Sequence, residues 1–259
     1  GAGTGYVVLP GMYAPEAQTS DYVSSIALTQ NGALEANDSI TISGYTRSKS
    51  SAFLIRLTKD GALDTTFGGT GSVIVADVNS GGQRTGAGEI RAARIDDAGR
   101  VVALGSAGDR GYVFLRYNAN GAPDATFGTN GRTLVKWSNA SNYDEGLTLA
   151  LQGNGKIVAA GFAPNIVTGQ TAHNDFLVVR LQANGQPDPV FGADAQGRKL
   201  VVYPASVDVA NAIAIEPSGN VLVGGYAQAN GSATTDFAVT RLYGDPDRLF
   251  MDDFDPSEF

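Results

Sequence analysis

Four aspartates recur along the chain, and carboxylates beside glycine-rich turns are ligands that a calcium ion prefers. They open the motifs DTTFG at Asp64, DATFG at Asp124, DPVFG at Asp188 and the worn copy DRLFM at Asp247, at spacings of 60, 64 and 59 residues. An arginine precedes each motif at nearly the same spacing, and an arginine can grip an anion. These residues are Arg56, Arg116, Arg180 and Arg241. The repeated charges could therefore bind an ion, or they could hold the fold together.

The repetition favours a structural role for these charges. One active site needs one copy of its residues, whereas this set occurs once in every repeat. An aspartate that follows a hairpin turn caps the next turn with its side chain, and an aromatic side chain can plug a seam between repeats. The aromatic residues of the motif are Phe67, Phe127 and Phe191. We therefore predict a buried or half-buried arginine–aspartate pair in each repeat that sets the strand register, with no metal site and no cofactor. Calcium is kept as the alternative.

The segments between these motifs have the pattern of short β-strands. Runs such as NAIAIEPSGNVLVGGY join two apolar stretches through a glycine-containing turn, which is a hairpin signal. No window keeps an apolar period of about 3.6 residues, so helices are not expected. The chain is predicted to be all-β, with four repeats of four antiparallel strands.

The two ends of the chain complement each other. The fourth strand of a repeat has the form GSVIVAD, GRTLVKW or GRKLVVYP, and an extra copy, GTGYVVLP, opens the chain at Gly3, whereas the last repeat decays after Arg241. We predict a single-domain, four-bladed β-propeller over residues 1–247, closed by its N-terminal strand. Its repeats cover residues 11–76, 77–136, 137–203, and 204–247 with 1–10, and residues 248–259 form an acidic tail.

The same residues resemble a known repeat. The combination DFLVVRLQANGQPDPVFG, GRKLVV and ANAIAIEPSGNVLVGGY is similar to the delta-60 repeat, a bacterial propeller-type repeat of exported or surface proteins without an established activity. The tail LFMDDFDPSEF resembles short tails of exported gammaproteobacterial proteins. The resemblance implies a location in the periplasm, on the outer surface or outside a Gram-negative bacterium. Likeness to the NHL-type blade implies that the AIAI-type strands line the axis.

Positions where one repeat departs from the others are candidates for ligand binding. Arg94 replaces a small residue that the other three repeats share, and Asp96 and Glu216 occupy a polar position two residues further on. If the first strand lines the axis, Arg94, Asp96 and Glu216 could form a polar cluster in the channel. The alternative is that Arg94 fills space and pairs with a neighbouring carboxylate.

Aromatic residues follow a glycine near the end of the second strand in three repeats. They are Tyr45, Phe162 and Tyr226. Exposed, these rings would offer stacking faces to a sugar, and buried, they would be wedges between blades; burial is favoured. His173, within GQTAHND, is expected to be a solvated loop residue.

Composition narrows the classes of partner and of chemistry. A net charge of −8 and a pI near 4.6 argue against nucleic acid and anionic membranes. The chain has no cysteine, which excludes thiolate nucleophiles and thiolate metal ligands. It has one histidine, which excludes most of the common arrangements of catalytic residues. No stretch approaches 18 apolar residues, so no membrane span is predicted. The start at Gly1, without a methionine or a signal-peptide pattern, is expected of a processed chain.

Together these observations predict a non-enzymatic, exported or surface binding or scaffold module. Its partner is expected to be a protein or a glycan, and the chain itself is expected to be a monomer. Two alternatives stay open. One is a lectin-like module that uses Tyr45, Phe162 and Tyr226. The other is a hydrolase or lyase in which Asp96 and Glu216 act with Arg94 as the electrophilic partner.

Overall fold

The chain is all-β, as its strand pattern predicts. The structure, a computed structural model, describes residues 21–29, 38–46, 51–76, 79–80, 83–84, 87–107, 111–137, 144–165, 173–203, 205–229 and 234–244. The chain divides into two compact units, residues 1–134 and 135–259. Each unit contains two antiparallel meander sheets, and the division falls two residues before the predicted boundary between the second and third repeats.

Unit 1 holds sheet 1, sheet 2 and a short two-stranded ribbon. Sheet 1 consists of β1 (Asp21–Leu28), β2 (Ser39–Thr46), β3 (Ser51–Thr58) and β4 (Ser72–Ala76). The ribbon consists of β5 (Asn79–Ser80) and β6 (Gln83–Arg84). Sheet 2 consists of β7 (Ala87–Ile95), β8 (Val101–Ala107), β9 (Tyr112–Tyr117) and β10 (Arg132–Val135).

Unit 2 holds sheets 3 and 4. Sheet 3 consists of β11 (Glu145–Leu151), β12 (Ile157–Asn165), β13 (His173–Leu181) and β14 (Arg198–Val201). Sheet 4 has three strands in the described part of the chain: β15 (Ala205–Ile215), β16 (Val221–Ala229) and β17 (Asp236–Leu242). The predicted closing strand at residues 5–9, the worn motif at Asp247 and the tail 248–259 lie outside the described residues.

The first strand of every sheet contains a β-bulge at the same place. The register with the second strand shifts between Val23 and Ser25 in sheet 1, and likewise around Arg91, Leu147 and Asn211 in the other sheets. Each bulged residue precedes the aligned position of Arg94 by three residues. The bulge explains the glycine before the aromatic position, because a Cβ on Gly44 or Gly225 would meet a backbone carbonyl of the first strand.

The two sheets of each unit pack by one rule. We call the face of a sheet that carries its repeated arginine the arginine face. The arginine face of sheet 1, with Ala52 and Leu54, packs against the opposite face of sheet 2, which includes Ala103 and Val113. In unit 2 the arginine face of sheet 3 packs in the same way on the opposite face of sheet 4. Phe67 and Phe191 lie in these two apolar seams, so the repeated phenylalanine is part of the packing between sheets.

Candidate functional site

The repeated arginine, aspartate and phenylalanine form one module that occurs three times with the same geometry. The arginine Nε lies 2.7 Å from the aspartate Oδ2 in the pairs Arg56–Asp64, Arg116–Asp124 and Arg180–Asp188. In each copy the guanidinium carbon lies 4.6 Å from the centre of the phenylalanine ring, as in a cation–π contact. In these three copies the arginine and the aspartate therefore compensate each other's charge within the fold.

Local hydrogen bonds keep the aspartates of the module ionised. In the second copy, the backbone N–H and the hydroxyl of Thr126 donate to Asp124 Oδ1 at 3.0 and 2.6 Å. Burial alone would raise the pKa of Asp124, but the hydrogen bonds from Thr126 and the ion pair with Arg116 outweigh it and hold the pKa below its usual value. The pKa of Asp64 is lowered in the same way, by Thr66 and Arg56. At Asp188 burial is outweighed first by the charge of Arg180 and then by the hydrogen bond from Lys156, so its pKa is lowered as well.

The fourth arginine has a different partner. Arg241 Nη2 donates to Glu216 Oε2 at 2.7 Å, and about half of the Arg241 side chain is exposed. Hydrogen bonds from Arg241 are the main reason that the pKa of Glu216 lies below its usual value. Glu216, predicted as a ligand-binding residue, is thus held by an arginine of its own sheet. It also lies one residue beyond β15, at the hairpin turn.

The side chains of Arg94 and Asp96, at the end of β7, bind different partners. Arg94 is half-buried and donates to the carbonyl of Ala93, and burial lowers the pKa of its guanidinium. Asp96 follows the strand, accepts hydrogen bonds from the hairpin turn and forms an ion pair with Arg100 at 2.8 Å. Both residues belong to unit 1 and Glu216 belongs to unit 2. The predicted axial cluster of Arg94, Asp96 and Glu216 stays a prediction.

The three aromatic candidates are each half-buried. Tyr45 stacks on Tyr22 with ring centres 5.4 Å apart, and the guanidinium of Arg91 lies 6.0 Å from its ring centre. Phe162 and Tyr226 occupy the equivalent strand positions of sheets 3 and 4. Tyr22, the stacking partner of Tyr45, is more exposed than the three candidates, with 45% of its surface accessible.

Unit 2 also contains a buried group of polar side chains that the sequence did not point to. Asp175 on β13 and Asp208 on β15 are both fully buried, at the seam between sheets 3 and 4. Asn165 Nδ2 donates to Asp175 Oδ2 at 2.6 Å, and His173 Nε2 lies 3.5 Å from Asp175 Oδ1. His173 is the first residue of β13, paired with Asn165, and is not a loop residue as expected.

The two carboxyl groups change each other's proton affinity. Burial, followed by the charge of Asp175, raises the pKa of Asp208 to about 6. Burial likewise raises the pKa of Asp175, against the hydrogen bond from Asn165 and the charge of His173. The Tyr203 backbone N–H is directed at Asp208, yet neither oxygen of Asp208 accepts a hydrogen bond of normal geometry. Chemically, this arrangement can hold one proton between two acids.

A weak sequence signal marks one of these aspartates. Asp21, Asp144 and Asp208 each stand six residues before the aligned small residue of the first strand, whereas the second repeat has Gly88 there. Asp144 lies one residue before β11 and accepts a hydrogen bond from the backbone N–H of Trp137 at 2.5 Å. Asp208 holds the equivalent sequence position but lies within β15. Asp236 of the fourth repeat occupies the strand position of Asp175 but is exposed, so the repeat pattern does not reveal that Asp175 is buried.

The described residues of unit 2 include those that line two grooves. One, of about 450 Å³, runs along β17 and is lined by residues 199–203 and 239–243. The other, of about 400 Å³, lies between the hairpin turns that follow β11 and β15, and Glu216 and Gln152 line it. Gln152 Nε2 donates to the carbonyl of Gly219 at 2.6 Å, which ties the two turns together.

Within the described ranges, no three histidine or acidic side chains converge in a way that could hold a metal ion. Nor does this part of the chain contain a helix of the length and apolar character that a membrane crossing needs.

The four sheets and the repeated arginine–aspartate–phenylalanine module place the chain in one class of protein. It is an all-β repeat protein whose antiparallel meander sheets pack face to face within each unit. Residues 35–67, 99–127 and 152–191 match a family described as "Domain of unknown function (DUF5122) beta-propeller". Each matched segment contains the arginine and aspartate of the module and ends at its phenylalanine. The chain therefore carries the repeat of a β-propeller family whose function is unknown. No curated protein matches the chain at a significant level.

Proposed function

We propose that the chain is a non-enzymatic binding or scaffold module built on a rigid β-propeller of the delta-60 type, exported or held at the surface of a Gram-negative bacterium. One observation carries the proposal. In the first three repeats the recurring arginine and aspartate pair with each other at 2.7 Å beside a phenylalanine ring. These charges therefore stabilise the fold and are not available to bind a ligand. A frame stabilised in this way can present variable turns and edges to a partner.

The proposed ring has four blades and is closed by the N-terminal strand. Sheets 1, 2 and 3 each have four strands, whereas β17 is the last strand of sheet 4 in the described part of the chain. A groove lined by Val202, Val239 and Leu242 runs along this edge. Residues 5–9 repeat the pattern of β4, β10 and β14, and as a strand they would cover the edge.

Exposed apolar residues on sheet 4 support the same closure. Phe237 and Val239 lie on the arginine face of sheet 4, and 90% and 52% of their surfaces are exposed. The corresponding faces of sheets 1 and 3 are packed on a neighbouring sheet. If sheet 4 followed the same packing rule, its arginine face would pack against the opposite face of a sheet equivalent to sheet 1. In a closed monomer this is sheet 1 of the same chain.

The binding role is tested by the shift in melting temperature with a panel of cell-wall glycans, simple sugars, calcium and EDTA. A ligand at a hundred times its dissociation constant stabilises the folded state by about 2.7 kcal/mol, which raises Tm by a few degrees. A reproducible shift would identify a small ligand. A flat panel is expected if the partner is a protein, and pull-down with the folded chain would then be the next step. Turnover of any panel member would contradict the non-enzymatic proposal.

A lectin-like role is the second candidate, and the exposed Tyr22 ring stacked on Tyr45 favours it. Sugars stack on exposed aromatic faces. If this pair binds a glycan, Tyr22→Ala should abolish the Tm shift that the glycan causes. Tyr243→Ala is the matched control, because 43% of Tyr243 is exposed and it lies in unit 2.

A further inference from the structure

The seam between sheets 3 and 4 contains a pair of acids that is costly in its ionised form. Asp175 and Asp208 have no exposed surface, and a buried carboxylate is stable only when a partner compensates its charge. Asp175 has Asn165 at one oxygen and His173 at the other. Asp208 has neither an arginine nor a lysine among the groups that act on it. The module aspartate Asp188, by contrast, has both Arg180 and Lys156.

The titratable groups around Asp208 are few. Asp208 is the one charged residue of β15, and β12 carries none. Arg180 on β13 is engaged by Asp188. The other titratable residues of the surrounding segments are His173 and Asp175 on β13, Tyr203 after β14, Tyr226 on β16, and Glu145 on β11 with Asp144 before it. Of these, Asp175, Tyr203 and His173 act on Asp208.

We propose that Asp175 and Asp208 form a proton-operated lock between β13 and β15. With one shared proton, the protonated carboxyl group donates to the other, and the pair bonds sheet 3 to sheet 4. Without the proton, two negative charges face each other in a place that water does not reach, and their repulsion loosens the seam. His173, with 19% of its side chain exposed, joins the pair to solvent.

The direction of the pH effect follows from the proton affinity. Burial and the charge of Asp175 raise the pKa of Asp208 from 3.8 to about 6, so the folded protein holds this proton more tightly than the unfolded chain does. The stabilising contribution is therefore complete below about pH 4 and is lost as the pH rises through about 6. The corresponding change in the folding equilibrium is roughly a hundredfold.

The test is urea unfolding of the full chain between pH 4 and pH 8, followed by the fluorescence of Trp137. This residue is the single tryptophan of the protein and lies in unit 2, so it reports on the unit that contains the lock. We expect Asp208→Asn to remove most of the loss of stability between pH 4 and pH 7, because an amide keeps the shape of the neutral acid and never ionises. Asp175→Asn should remove only part of this loss, because burial, the larger cause, still raises the pKa of Asp208.

Asp236→Asn is the matched control. Asp236 occupies on β17 the strand position that Asp175 occupies on β13, five residues before the aligned arginine, but it is exposed. Its substitution should leave the pH dependence as in the wild type. The lock is refuted if Asp208→Asn and Asp236→Asn show the same pH dependence.

A second measurement keeps the test decisive if an asparagine variant fails to fold. The carboxyl carbons of the wild-type aspartates can be titrated by 13C NMR. One carboxyl group that titrates near pH 6 and is coupled to a second is the expected result. Titration of every aspartate below about pH 4.5 would overturn the proposal.

Discussion

The arginine of the third copy of the module, Arg180, contacts its own repeat and the end of sheet 4. Arg180 bonds to Asp188, covers Phe191 and donates to the carbonyl of Gly244. Its side chain is 1% exposed. Removing one partner of such a pair leaves a buried charge without compensation, whereas an exposed pair contributes little.

We therefore expect Arg180→Ala to destabilise the fold by about 3 to 5 kcal/mol. Arg241→Ala should change stability only slightly, because Arg241 and Glu216 form their pair at the surface. Urea unfolding followed by Trp137 fluorescence measures both variants. Equal losses for the two substitutions would mean that burial is not what makes the module stabilising.

At the scale of single residues, the sequence predicted the features that recur in every repeat. The equal spacing of arginine and aspartate pointed to their pairing, which the structure shows in three copies. It did not reveal the pair of Asp175 and Asp208, because Asp175 has no buried counterpart and Gly88 breaks the pattern to which Asp208 belongs. Their meeting depends on which residues of two neighbouring sheets face each other, and strand periodicity carries no such information.

The second strand of each sheet has to fit closely against the bulge of the first. In sheet 4 two adjacent glycines, Gly224 and Gly225, differ in this respect. A Cβ on Gly225 would collide with the carbonyl of Val209 and lie 2.9 Å from the Cα of Ala210, whereas a Cβ on Gly224 would meet nothing nearer than 4.0 Å. The bulge therefore demands glycine at one position and not at its neighbour.

Gly225→Ala is accordingly expected to destabilise the fold by about 1 to 3 kcal/mol, because β15 must move to admit the methyl group. Gly224→Ala should be neutral or slightly stabilising, since alanine reduces the freedom of the unfolded chain. Thermal melts of the two variants provide the comparison. A loss of stability in Gly224→Ala as large as in Gly225→Ala would refute the role assigned to the bulge.

The strands themselves could be predicted from the sequence because glycine turns and alternating apolar residues are local signals. The bulge could not, since the extra residue is an ordinary one in each repeat: Ser24, Arg91, Leu147 and Asn211. The register shift emerges only when the two paired strands are seen together.

For the whole molecule, the critical feature is the edge of β17. If residues 5–9 close the ring, deletion of residues 1–10 should lower Tm markedly, because it exposes both a strand edge and the apolar groove beside it. Deletion of the tail 248–259 is the control and should leave Tm nearly unchanged. A synthetic peptide of residues 1–10 should restore part of the lost stability. An unchanged melt in the first variant would contradict closure by this strand.

The strands of each described sheet follow one another in the chain without a crossover. Most pairings therefore join residues that are close in sequence, and closing such short loops costs little entropy. Short-range pairing of this kind favours fast folding. Each sheet can consequently pair its own strands as soon as its stretch of chain has been synthesised. Its apolar face is buried only when the second sheet of its unit follows, so a pair of repeats is the smallest part of the chain expected to fold stably.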